Sequence, residues 1–384
     1  MDNTNRIFLH KLLKAIGDSI INVFIPLYIL KITGQVELSI IYLIVRGLCV
    51  VIGMIALKKV LCSHGLLCII LHCFPIIITQ GILSIFKIDL VVTIVCAVLM
   101  SLAQTLYSIP LNILFANADK SINVSKFQIA TNTGKIFFIL LSGLLLAHIP
   151  ESFIVLSIIA SIFYIASIVP LIATYNKLKI HTRVAREKDA PKLSIWHRLF
   201  HMTFSTFQIT IENVIPLYLY INNLSFEAVS TIIAIVEACK ILANMLGNVF
   251  VKRGHYKLSC ILSSVIFLSC LIGIVFVKNA VILYILSCVI AISFPLCFVP
   301  MFHLFCDKIK HNKSVTRDMI DRDIDIFAIR PIYFGSYFVL SSLTPCIVFG
   351  VVCCVLQFVF QMQIIDEEKR LIKLDVKHYQ KDHK

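Results

Sequence analysis

Seven ionisable side chains, Asp18, Arg46, Lys135, Glu212, Glu237, Lys240 and Arg330, lie inside long runs of apolar residues. A charge in such a setting is costly unless it is paired or hydrated, so it marks a path for a polar solute or a proton. Asp18, Arg46, Glu212, Glu237 and Lys240 are the candidates for lining such a path and for coupling along it. Glu212 lies at mid-segment, where a carboxylate can take up and release a proton as its surroundings open, with Asp18 as a candidate relay. A fixed counter-ion or a hydrogen-bonding solute ligand is its competing role. Glu237 and Lys240 are three residues apart on one helical face and can also neutralise each other. Lys135 and Arg330 sit near the starts of their runs, from which either can snorkel toward the membrane surface.

The elements that must position these groups are membrane helices. Hydrophobic residues make up 59% of the 384, charged residues only 15%, and the mean hydropathy is +0.93, a composition that water does not accommodate as a globule. Runs long enough to cross hydrocarbon as helix fall at 15–33, 38–57, 66–86, 90–112, 128–148, 152–173, 199–221, 228–250, 258–277, 279–303, 324–343 and 345–365. No small-residue cleavage site follows the first, so it reads as a span and not a cleavable signal. The expected fold class is an all-α membrane protein of twelve transmembrane helices.

The two halves are related. Ile25-Pro26-Leu27-Tyr28 returns 190 residues later as Ile215-Pro216-Leu217-Tyr218, and Ile109-Pro110 returns at the same offset as Val299-Pro300. A duplication in so apolar a chain implies two pseudo-symmetric six-helix bundles facing each other across an axis along the membrane normal. The expected organisation is a bundle at 1–173, a basic linker at 174–198, a second bundle at 199–365 and a tail at 366–384. The duplicated prolines remove backbone hydrogen bonds and bend their helices, which suits walls that rock, although membrane helices also tolerate proline for packing alone.

Charge sets the orientation. Of 35 Lys and Arg, 28 fall on the side that holds both termini, the linker and the loops around Lys58, Lys120, Lys252 and Lys308–Arg322, and only Lys31, Lys87 and Lys278 fall on the other. Both termini should therefore be cytoplasmic, and the location the plasma membrane. Lipid is the one assured partner. The net charge of +14 is explained by topology, and its spread over many segments gives nucleic acid no footprint. Most of the 14 cysteines sit in apolar runs as small hydrophobes. The cluster Cys62, His64, Cys68, His72 and Cys73 lacks the spacing of a zinc set, so no metal is expected. No nucleotide, dinucleotide or hydrolase motif is present, so neither a cofactor nor catalysis is expected.

Twelve helices in two repeats, a basic linker and termini on one side resemble the major facilitator superfamily over the whole chain. Its loop signature, a glycine followed by an acidic residue and a basic cluster, returns as Gly53 to Lys58-Lys59 and as Gly247 to Lys252-Arg253, with Leu57 and Val251 at the acidic positions. That loss puts the usual gating contact in doubt. The helix-4 arginine and the helix-5 proline-glycine pattern of drug/proton antiporters are also absent, while Gly134-Lys135 is similar to the basic opening of helix 5 in other members. The resemblance implies a secondary active or facilitative transporter for a small solute, working by alternating access as a monomer, with protons as a candidate coupling ion. Segments 1, 4, 7 and 10 would line the cavity, with Tyr28, Gln104, Tyr107, Asn112, Gln208, Asn213 and Tyr218 as lining or interface residues beside Lys135 and Arg330. The alternative is a transporter-like scaffold or sensor that no longer transports. The resemblance also places segment 5 beside 8 and segment 2 beside 11, which would bring Lys135 or Lys240 to Glu237 and set Arg46 near Arg330.

Overall fold

The computed structural model describes residues 3–117, 124–149, 151–172, 193–277, 279–311 and 315–382. Among the described residues, ten helices are long and apolar enough to cross a membrane. In chain order they are α1 (Asn5–Thr33), α2 (Val36–Ala56), α3 (Gly65–Ile85), α4 (Leu90–Asn117), α5 (Val124–His148), α6 (Ser152–Ile172), α8 (Phe226–Lys252), α9 (Tyr256–Phe276), α10 (Ala280–His311) and α12 (Thr344–Asp382). The remaining two are broken. In α7, Ile195–Ile209 continues through Thr210–Val214 into Ile215–Ile221, and α11 runs as Val315–Ala328, Arg330–Gly335 and Tyr337–Leu340. Both are more polar than the rest, α7 with Thr203, Ser205, Thr206, Gln208 and Glu212, α11 with alternating Arg and Asp from Arg317 to Asp325.

Local chemistry sets several boundaries. Gly34 ends α1 in the left-handed conformation at φ 67°, which a glycine adopts without a Cβ penalty. Ser225 caps α8 by accepting the Ala228 N–H at 3.1 Å. The duplicated Pro26 and Pro216 each stand at the start of a helical stretch that follows one π turn, Asp18–Asn22 in α1 and Thr210–Val214 in α7. Proline cannot donate to the ladder and crowds the carbonyl four residues back, and the widened turn absorbs that mismatch.

The pairing of helices repeats with the sequence. In the first half α1 packs on α6 and α2 on α4; six helices later α7 packs on α12 and α8 on α10. The halves meet chiefly where α5 lies along α8 and α2 along α11. Outward faces are apolar, since lipid replaces water as the solvent there. On α6, Ile154, Ile158, Ile162, Ile165 and Val169 form one exposed stripe at helical spacing, as do Val348, Val352, Val355 and Val359 on α12.

Three expectations need correction. The stretch 308–322, expected as a loop, is helical apart from 312–314, which lie outside the described residues; its Arg and Asp alternation hides a helix from a hydropathy reading. Likewise α1 starts well before residue 15, with Lys11 and Lys14 already in the helix. Of the expected linker, 174–192 lies outside the described residues, and Ile195–Arg198 belongs to the first turn of α7.

Candidate functional site

A cavity of about 250 Å³ lies at mid-length of the helices, between the halves. It is lined by Lys14, Asp18 and Asn22 of α1, Arg46 of α2, His72 of α3, Gln104 and Tyr107 of α4 and Lys135 of α5. From the second half come Glu212, Asn213 and Pro216 of α7, Glu237 and Lys240 of α8, Ser287 of α10 and Arg330 of α11. A second space of about 230 Å³ shares Lys14, Asp18, Tyr107, Lys135, Glu212, Glu237 and Lys240 with the first, and continues past Lys11, Asn132, Asn244 and Pro295 toward the side that holds the termini.

The charges in this cavity form two networks. In the first half Asp18 receives Lys14 one turn before it, the Tyr164 hydroxyl at 2.8 Å and the Asn22 amide at 3.0 Å. Gly17 makes room for this arrangement, because a Cβ there would lie 3.1 Å from the Tyr164 ring. Lys14 also stands 4.4 Å from the centre of the Tyr107 ring, a cation–π contact. The second network crosses between the halves. Lys240 Nζ lies 2.8 Å from Glu237 and 3.3 Å from Glu212, and Lys135 of the other half reaches Glu237 at 3.8 Å. Gln208 Nε2 donates to the second Glu212 oxygen at 3.1 Å. Glu237 and Lys240 are buried, so each depends on the other for its charge to be tolerated.

The two π turns hold Asp18 and Glu212, one in each half. A π turn widens the helix and turns a side chain out of its usual register, and such turns concentrate at functional sites. Nothing in the sequence marks them except the prolines that follow.

Arg46 and Arg330 face the same space from opposite halves. Arg330 donates to Ser205 Oγ at 3.1 Å and stacks over Phe327 at 4.1 Å, while Arg46 Nε is buried with no partner among the described residues. Their helices approach closely at Gly47, where a Cβ would lie 3.1 Å from Pro331 and 3.2 Å from the Arg330 Cβ.

Ten of the sequence candidates thus share the cavity: Asp18, Arg46, Gln104, Tyr107, Lys135, Glu212, Asn213, Glu237, Lys240 and Arg330. Tyr28 does not line it; its ring stacks on Phe153 of its own half at 3.9 Å. Neither Tyr218 nor Gln208 lines it, although Gln208 orients Glu212. Asn112 lies nearer the termini side and donates to Asp323 of α11 at 2.7 Å, a bond between the halves. Gly53 packs against Thr105 and Gly247 against Val299 and Pro295. Lys59, Lys252 and Arg253 are exposed and Lys58 half-buried at the same membrane side. Sequence reasoning missed Lys14, Asn22, Tyr164 and Asp323. Of these Lys14 was legible, four residues before Asp18 on one helical face; the others depend on contacts between distant helices. His72 enters the cavity wall and bonds its own helix at the Ile69 carbonyl, and among the described residues no three metal-ligating side chains come together.

No family model matches the sequence, and no curated protein matches it by sequence. Solved structures do match by shape. A bacterial homologue of the iron transporter ferroportin in an outward-facing state aligns over 95% of this chain and 99% of its own, with a TM-score of 0.71 at 12% identity. The nucleoside transporter NupG aligns over 95% and 99% with a TM-score of 0.66 at 13% identity, and a POT peptide transporter in complex with sulfate over 95% and 94% with 0.64 at 12%. The fold is therefore the one these three transporters share, with two bundles of membrane helices around a central cavity.

Proposed function

We propose that this chain is a secondary transporter that carries a small hydrophilic solute across the plasma membrane by alternating access, as a monomer with both termini in the cytoplasm. The observation that carries this reading is a charged cavity at mid-length of the helices whose walls come from both bundles, so that relative motion of the bundles must change its access. Residues 1–173 and 195–365 would be the rocking units and 174–194 the tether. The Asn112–Asp323 bond would be the latch on the cytoplasmic side, in the place of the loop contact that Leu57 and Val251 have lost.

Glu212 is the candidate proton site. Protonating it would remove its attraction for Lys240, leaving that ammonium to Glu237 alone and freeing the π turn of α7 to move. Flux into vesicles holding purified protein, with and without a pH gradient, tests both parts. Accumulation driven by the gradient in wild type and lost in Glu212→Gln supports the proton role. Accumulation that ignores the gradient removes that role but keeps the transporter, and no flux of any solute returns the chain to a scaffold or sensor.

A further inference from the structure

The cavity walls carry five cations, Lys14, Arg46, Lys135, Lys240 and Arg330, against three carboxylates, Asp18, Glu212 and Glu237. The carboxylates are already satisfied by the lysines: Asp18 by Lys14, Glu237 by Lys135 and Lys240, Glu212 by Lys240. What remains is an excess of two positive charges, carried by Arg46 and Arg330. The carboxylates whose fields reach Arg330 are engaged elsewhere, Glu212 with Lys240 and Asp323 with Asn112. Among the described residues neither guanidinium meets a carboxylate. Two like charges on helices brought together at Gly47 repel, and a counter-charge between them relieves the repulsion. Tyr42, one turn before Arg46, adds a buried hydroxyl beside that guanidinium.

We infer that this counter-charge is the solute: a small oxyanion, bearing a carboxylate or phosphate group, held between Arg46 and Arg330. Guanidinium forks match the paired oxygens of such groups in a way that an ammonium does not. The cavity of about 250 Å³ is smaller than a drug-sized site, which limits the solute to the size of a small metabolite. Because Arg46 belongs to one bundle and Arg330 to the other, an anion bridging them also draws the halves together. The inference rests on the transporter reading for its role, but the site can be tested without flux.

The test is ligand-dependent thermal stability of the full chain in discs of neutral phosphatidylcholine, with inorganic phosphate and succinate as probes and choline and glucose as controls at equal ionic strength. At least one anion should raise the melting temperature in a saturable way and the controls should not, as binding to the folded state requires. Arg46→Gln and Arg330→Gln should each weaken that anion roughly tenfold or more. Arg330→Lys, which keeps the charge and is the safer variant for folding, should weaken it less than Arg330→Gln. Stabilisation by neither anion, equal stabilisation in the arginine variants, or stabilisation seen only when phosphatidylglycerol is added to the discs would each overturn the inference, the last by assigning the arginines to a lipid headgroup. Arginine-dependent anion binding without flux in vesicles would keep the site and remove the transporter. Arginine-independent flux of a cation or neutral solute would do the reverse.

Discussion

Lys240 is the residue on which most of the cavity electrostatics turns, because one buried ammonium serves Glu237 at 2.8 Å and Glu212 at 3.3 Å. Lys240→Met should therefore leave a buried carboxylate undercompensated and cost about 3–5 kcal/mol. Adding Glu237→Gln to the same chain should recover most of that loss, a coupling that a double-mutant cycle in thermal stability reads directly. Lys135→Met should cost much less, since its ammonium is partly exposed and sits 3.8 Å from a carboxylate that keeps Lys240. At the latch, Asp323→Ala removes a hydrogen bond between a charged and a neutral group across the bundles. It should speed thiol labelling of a cavity cysteine from the termini side by about tenfold, and an unchanged rate would remove Asn112–Asp323 from the gate. The charges themselves were legible in the sequence, because seven ionisable groups in apolar runs stand out by composition. Their partners were not: Tyr164 is 146 residues from Asp18, and Asp323 is 211 from Asn112.

Between helices, packing at glycine decides how closely the halves meet. A Cβ at Gly143 of α5 would overlap the Ser230 side chain of α8, so Gly143→Val should force these helices apart. The expected loss is about 1–3 kcal/mol, typical of overpacking, and pairing it with Ser230→Gly should restore part of it. A melting temperature unaffected by Gly143→Val would mean that α5 and α8 are not held in this contact. Helix identity followed from hydropathy wherever one face meets lipid, as for α6 with its outward Ile154, Ile158 and Ile162. It failed at the start of α11, where Asp318, Arg322 and Asp323 are helical but buried inward. The π turns at Asp18–Asn22 and Thr210–Val214 are backbone features that apolar periodicity does not encode.

For the whole molecule, the charge bias of 28 against 3 predicts a cytoplasmic location for the segment 174–198. A cysteine introduced there on a cysteine-free background should react with an impermeant reagent only after the membrane is opened; labelling in intact cells would invert the topology. The central claim is that one cavity is exposed alternately to the two sides. Gln104→Cys, on α4 in the cavity wall, reports this most directly when the same impermeant thiol reagent is applied from each side to oriented vesicles. Alternating access predicts labelling from both sides, with reaction from one side blocking reaction from the other. Labelling from a single side under all conditions would contradict alternating access and leave a static cavity.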